Sequence, residues 1–107
     1  MSIAALIEAV EAGTVAMHDL DAFIPVLGLT TEANNALDAY NGSLNDAKAL
    51  HEALLPGWFP GMSQNIHHGH WYAWVQDKAT AHFSAEDNDP ARAWLLAILR
   101  AKEAGHE

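Results

Sequence analysis

The stretch His70-Trp71-Tyr72-Ala73-Trp74-Val75-Gln76 combines aromatic and β-branched side chains, the residue types that pack best on a pleated sheet. Shorter stretches of similar character lie on either side of it, beyond His68-Gly69 and beyond residues 77–79. These two breaks predict turns. The sequence therefore predicts a three-stranded antiparallel sheet, with strands at about 62–67, 70–76 and 80–86.

The register of this sheet decides which side chains share a face, because a slip of one residue exchanges the two faces of a strand. A two-residue turn at His68-Gly69 and a three-residue turn at residues 77–79 place nearly all the apolar side chains on one face. Trp58-Phe59-Pro60-Gly61 is interpreted as a connection before the first strand. The other, polar face then includes Asn65, His67, His70, Tyr72, Trp74 and Glu86.

Capping residues and apolar stripes predict about four helices around this sheet. They run from Ser2 to Gly13, from His18 to Val26, from Ser43 to Pro56 and from Asp89 to Gly105. Residues 29–42 are the hardest to assign, and a short helix from Thr31 to Ala39 is one interpretation. The predicted fold class is α+β, as a single domain over residues 1–107.

Tyr72 and Trp74 leave two arrangements of the helices open. Large aromatic side chains on the polar face of a sheet are either covered by a helix or exposed as a binding patch. Helices on both faces would cover them. Helices on one face would make them part of a partner surface, together with Asn65, His67 and His70.

Charge limits the classes of partner. The chain has 14 acidic and 5 basic residues and a net charge of −9. Direct binding to nucleic acid is disfavoured, because that affinity comes from Lys and Arg displacing counterions from phosphates. The charge predicts either ordinary solubility or attraction to a basic protein, such as a nucleic-acid-binding protein whose groove an acidic surface could occupy.

Other sequence features exclude several classes. The absence of cysteine excludes disulfides, a zinc ribbon and a thiol nucleophile. No apolar run reaches the roughly 18 residues of a membrane span. The N-terminal segment lacks a basic region and contains Glu8 and Glu11, so it is not typical of a signal peptide. We therefore expect a soluble, cytoplasmic protein.

A metal site is the main catalytic alternative. The predicted register places His67 opposite His70 and His70 opposite Glu86, with Cβ atoms about 5 Å apart in each pair. Such a row could hold a divalent zinc or iron-type ion and leave positions open for water. The alternative is a polar hairpin tip that holds no cofactor. Because the sequence has no HExxH, GxSxG or P-loop pattern, we expect a protein that is not an enzyme.

Several motifs in the second half of the chain occur in a recognisable order. They are Ser43-Leu44-Asn45-Asp46-Ala47, Leu55-Pro56-Gly57-Trp58, Trp71-Tyr72-Ala73-Trp74-Val75, Ala81-His82-Phe83-Ser84-Ala85-Glu86 and Pro90-Ala91-Arg92-Ala93-Trp94-Leu95-Leu96-Ala97. This order, over roughly residues 43–104, resembles the phage ABA-sandwich family of small phage and prophage domains. The resemblance implies a small sheet sandwiched by helices and a phage or prophage origin, hence a bacterial host cell. It implies no catalytic residue.

Three functions follow as expectations. The first is a non-enzymatic accessory protein of phage or prophage type that binds another protein, with inhibition of a basic nucleic-acid-binding host or defence protein as one outcome. The second is a metal-binding domain that uses His67, His70 and Glu86, with hydrolysis as one activity it could support. The third is a structural subunit of a larger assembly. The partner and the oligomeric state do not follow from the sequence.

Overall fold

The computed structural model describes residues 2–16, 19–28, 30–65, 69–78 and 81–105. Its α-helices are α1 (Ile3–Ala12), α2 (Ile24–Leu27), α3 (Thr30–Tyr40), α4 (Leu44–Leu54) and α5 (Pro90–Glu103), and a 3-10 turn at Leu20–Ala22 precedes α2. Between α4 and α5 lie the strands β1 (Phe59–Asn65), β2 (His70–Gln76) and β3 (His82–Asp87). The strands form an antiparallel sheet in the order β1-β2-β3, which confirms the predicted α+β class.

Short polar side chains fix where three of the helices begin. Ser2, Ser43 and Asp89 each accept a hydrogen bond from the backbone N–H three residues further on, at 3.1, 3.2 and 3.0 Å. Each bond satisfies one of the donors that the first turn of a helix leaves without an intrahelical partner. Gly13 ends α1 at a φ of 69°, in the left-handed region that glycine adopts readily. These predicted caps are confirmed.

Helix α3 occupies most of the segment that was hardest to assign, and extends one residue beyond the predicted helix at each end. Asn34 and Asn35 are poor helix formers, but they do not decide the outcome. Ala33, Ala36 and Ala39 are fully buried, at a spacing that places them along one stripe of the helix. Their small side chains allow close packing, so tertiary contacts override the weak local propensity.

Helix α5 lies at the centre of the molecule. It packs against β2 and β3 on one side and against α1, α3 and α4 on the other. Its side chains are accordingly buried almost all round: Ala91, Ala93, Leu95, Leu96, Ala97, Ile98, Leu99 and Ala101. The layers are therefore the sheet, then α5, then the remaining helices. Among the described residues, no helix is both long enough and apolar enough to cross a membrane.

The observed register differs from the predicted one by two residues in each hairpin. Asn65 pairs with His70 and Gln76 pairs with His82, so the connections are residues 66–69 and 77–81. The predicted two-residue and three-residue turns were wrong. In the second connection, Asp77 accepts a side-chain hydrogen bond from the Ala81 N–H at 3.0 Å and donates its own N–H to the Ala81 carbonyl at 3.1 Å. These two bonds close the connection between β2 and β3, which is longer than the predicted three-residue turn.

The strand limits also differ from the prediction. β1 begins at Phe59 and not at residue 62, so the interpretation of Trp58-Phe59-Pro60-Gly61 as a connection was wrong. Proline is tolerated in β1 because this is an edge strand, where one side needs no partner N–H. β2 has its predicted limits, whereas β3 begins two residues later than predicted and ends one later. The predicted end of the first strand, at Ile66 and His67, lies outside the described residues.

A shift of two residues leaves the faces of the sheet unchanged, because side chains alternate with a period of two. The predicted apolar face is the one that packs against α5. Ala73, Val75 and Ala85 on this inner face are buried, and Phe83 packs against the same core. Of the two arrangements that the sequence left open, the described helices adopt the one that places them on a single face.

Candidate binding surface

The sheet face directed away from α5 is called the open face. By the register, its described side chains are Phe59, Ser63, His70, Tyr72, Trp74, Gln76, His82, Ser84 and Glu86, with Gly61 at the corresponding position of β1. None of these residues belongs to the hydrophobic core or to the apolar side chains packed against it. The backbone of Asn65 pairs with that of His70 at the end of β1.

Aromatic side chains form the centre of the open face. The rings of Tyr72 and Trp74 have centroids 5.5 Å apart and planes inclined by 39°. Trp74 lies directly over Gly61, its partner on β1, so closely that a Cβ atom there would overlap the indole ring. Phe59 is 58% exposed and lies opposite Gln76, on the diagonal from Trp74. A row of three aromatic side chains therefore crosses the face.

Phe59 is the member of this row that sequence reasoning missed. Because the sequence predicts a connection at Trp58-Phe59-Pro60-Gly61, the predicted first strand begins at residue 62 and excludes Phe59. The alternation of side chains along β1 indicates this position. Two steps of two residues back from Ser63 reach Phe59, which therefore lies on the same face. Gly61 also indicates a strand at this point, because a glycine opposite a tryptophan leaves room for the indole ring to pack directly on the backbone.

The predicted metal row is only partly assembled. His70 Nδ1 and Glu86 Oε2 are 4.0 Å apart, and both side chains are about half exposed. The prediction that Glu86 lies directly opposite His70 was wrong, because Glu86 pairs with Tyr72 and reaches His70 on the diagonal. The prediction that His67 pairs with His70 was also wrong, because Asn65 takes that position. His67 itself lies outside the described residues, and the part of the chain that is described contains no group of three or more metal-ligating side chains.

His51 is a buried histidine that the sequence did not single out. It is 4% exposed, and its Nδ1 accepts a hydrogen bond from the Trp94 indole N–H at 3.2 Å. Because an indole can only donate, Nδ1 carries no proton, and Nε2–H donates to the Trp58 carbonyl at 3.0 Å. Both ring nitrogens are therefore engaged within the fold, so we assign His51 a structural role.

The arginines are also engaged within the fold. Arg92 donates twice to the Tyr40 carbonyl, at 3.1 and 3.0 Å, and its guanidinium lies 4.1 Å from the centre of the Tyr40 ring. Arg100 donates to the Ser84 carbonyl at 2.6 Å and to Glu11 at 3.0 Å. Two of the 5 basic residues of the chain are therefore held against the fold, and Arg100 also offsets the charge of Glu11.

Comparison of the chain with protein-family models, with curated proteins and with solved structures gives no match in any of the three. The fold and the surface define the chain as a small acidic α+β domain whose described helices pack on one face of a three-stranded sheet. An inference about its function therefore depends on its own side chains.

Proposed function

We propose that this chain is a non-enzymatic accessory protein, of the phage or prophage type that its motifs resemble, which binds another protein through the open face. The observation that carries this proposal is the row Phe59, Trp74 and Tyr72 on a sheet face whose described side chains lie outside the hydrophobic core. Tyr, Trp and Phe are enriched at the centres of protein interfaces, where they contribute a large share of the binding energy.

The polar side chains around this row support a protein partner. His70, His82, Gln76 and Glu86 lie on the same face and are at least partly exposed. An apolar centre with a polar, hydrated rim is typical of protein interfaces, whereas small ligands are held in concave pockets. The packing of Trp74 on Gly61 and beside Tyr72 also means that its ring loses little conformational freedom on binding.

Charge supports a basic partner. The first basic residue of the chain is Lys48, so the segment that contains α1, α2 and α3 carries Asp and Glu but no Lys or Arg. A net charge of −9 attracts a basic protein over distances comparable to the Debye length, about 8–10 Å at physiological salt. A nucleic-acid-binding host or defence protein has a surface of this kind, and its inhibition would follow from occupation of its basic groove.

The test is affinity capture from a lysate of the native host, read by mass spectrometry at 50 and about 300 mM salt, where screening shortens the Debye length to roughly 6 Å. We expect one dominant basic protein whose recovery falls at the higher salt. Replacing Phe59 and Tyr72 by Ser should abolish its recovery, because both side chains lie on the open face.

Leu44→Ser is the matched control. Leu44 is also a large apolar side chain, 45% exposed, but it belongs to α4 and not to the sheet. This variant should recover the partner as the unmodified chain does. Equal recovery by the Phe59/Tyr72 variant would exclude the open face as the interface, and recovery that does not change with salt would exclude the electrostatic contribution.

A metal-binding domain is the second candidate, and the distance between His70 and Glu86 favours it. The two donor atoms are 4.0 Å apart, and in a tetrahedral site with bonds of about 2.1 Å they would lie roughly 3.4 Å apart, so a small rotation of these exposed side chains would bring both to one ion. His67 is the third ligand expected from the sequence. If this proposal is correct, the purified protein contains close to one equivalent of zinc or iron, and His70→Ala removes it.

His82→Ala is the matched control for the metal proposal. His82 lies on the same face but is paired with Gln76, at the other end of β2 from His70. Its replacement should leave the metal content unchanged. A metal content below a tenth of an equivalent, or one that His70→Ala does not lower, would contradict the proposal; elemental analysis provides the measurement.

A further inference from the structure

A cleft lies beneath the edge strand β1, and the packing of α5 explains its presence. An α-helix with its side chains is about 10 Å wide, which matches about two strands spaced about 4.8 Å apart. Helix α5 packs on β2 and β3, so β1 extends beyond it. The space below β1 is bounded by the first half of α4, opens to solvent and has a volume of about 380 Å³. Its lining residues are Leu44, Asn45, Lys48, Pro60, Gly61, Met62 and Trp94.

The lining is mostly apolar. Leu44, Pro60, Met62 and Trp94 contribute the hydrocarbon and aromatic surface, and Leu44 is 45% exposed at the rim. Leu44 and Phe59 are the exposed large apolar side chains among the described residues. A volume within the roughly 300–1,000 Å³ of ligand pockets, with an apolar wall and few polar groups, is typical of a site for a small organic molecule.

The polar groups of the cleft select the charge of that molecule. Lys48 is the one charged side chain among the described lining residues, and Asn45 adds an amide. In a chain of net charge −9, a cation at the mouth of an apolar cleft is unusual and complements an anion. We propose that the cleft binds a small monocarboxylate with an apolar body, which lies against Met62 and Trp94 while its carboxylate meets Lys48.

Glu52 opposes this binding to a small extent. Its Oε1 is 3.8 Å from Lys48 Nζ, one helical turn away, and the two side chains are 69% and 64% exposed. Ion pairs this exposed contribute little to stability, so the Lys48 ammonium is free to turn toward a ligand. The two residues therefore have opposite effects on a bound carboxylate, and this difference in sign makes the proposal testable.

The experiment uses the full ¹⁵N-labelled chain, titrated in separate samples with sodium octanoate, 1-octanol and octylammonium chloride and followed by two-dimensional NMR. We expect saturable shifts of the amide signals of Leu44, Asn45, Lys48 and Met62, with affinity in the order octanoate, octanol, octylammonium. Lys48→Gln should weaken octanoate binding about three- to fivefold, the effect of one exposed ion pair, and leave octanol binding unchanged. Glu52→Gln should strengthen octanoate binding by a similar factor.

Lys78→Gln is the matched control, because Lys78 is exposed in the connection between β2 and β3 and its loss changes the net charge equally. It should leave octanoate binding unchanged. The proposal is wrong if octanoate produces no saturable shift in the cleft, if octylammonium binds as tightly as octanoate, or if Lys78→Gln weakens octanoate binding as much as Lys48→Gln.

Discussion

His51 connects two parts of the molecule that are distant in sequence. Through its two ring nitrogens it links α4 to Trp58, just before β1, and to Trp94 in α5. Trp94 is 43 positions away from His51 along the chain, and no spacing pattern in the sequence indicates a contact between residues so far apart. At the scale of single residues, the caps at Ser2, Ser43 and Asp89 could be predicted because they act over three positions, whereas this pair could not.

Replacement of His51 by Ala should lower the free energy of unfolding by about 2–4 kcal/mol. The variant removes a buried ring, leaves a cavity and deprives the Trp94 indole of its hydrogen-bond acceptor. Urea denaturation measures the change. His82→Ala is the matched control, since His82 is exposed on β3 and should change stability by less than about 0.5 kcal/mol. Equal effects in the two variants would contradict the structural role of His51.

Arg100 joins three elements. Its guanidinium extends from α5 to the Ser84 carbonyl of β3 and to the Glu11 carboxylate of α1. The bond to Ser84 links α5 to an edge strand of the sheet, and the bond to Glu11 links it to the helices on the opposite side. Through Arg100, helix α5 is thus hydrogen-bonded both to the sheet and to α1.

Arg100→Met keeps most of the side-chain length but removes both bonds, and should lower the free energy of unfolding by about 1.5–3 kcal/mol. Glu11→Gln separates the two contributions, because it weakens only the exposed ion pair and should cost less than about 1 kcal/mol. Chemical denaturation of both variants provides the comparison. If Glu11→Gln were as destabilising as Arg100→Met, the bond to Ser84 would contribute nothing.

At the scale of elements, the sequence predicted the composition of each sheet face but not the pairing within it. Side-chain alternation has a period of two, so a two-residue shift leaves the faces of Tyr72 and Val75 unchanged. The connections at residues 66–69 and 77–81 contain no Asn-Gly or Asp-Gly pair that would have fixed their length. The start of β1 was missed because Pro60-Gly61 is a turn signal that an edge strand can accommodate.

At the scale of the whole molecule, the open face follows from the composition of α5. A helix that is apolar nearly all round has to be surrounded on more than one side. The sheet covers one side of α5, and α1, α3 and α4 pack on the other, so these helices cannot also cover the outer face of the sheet. The run from Ala91 to Ala101 carries this information in the sequence, because only Arg92 and Arg100 interrupt its apolar residues.

The charge of the molecule could be predicted, but its distribution could not. The value of −9 follows from composition, whereas the internal bonds of Arg92 and Arg100 appear only in the fold. Guanidinium groups bound to carbonyl oxygens keep their charge, but the fold holds that charge at fixed positions. The expected salt dependence of partner binding is therefore a property of the folded chain as well as of its composition.

Pro60 has a further consequence for the behaviour of the protein at high concentration. Edge strands expose backbone groups that can recruit another chain and begin a fibril, and a neighbouring aromatic surface increases this hazard. In β1, Pro60 has no N–H to offer, and in β3 the Ser84 carbonyl is already bound by Arg100. The same sheet can therefore present three aromatic side chains to a partner while each of its borders has one backbone position that is closed to a further strand.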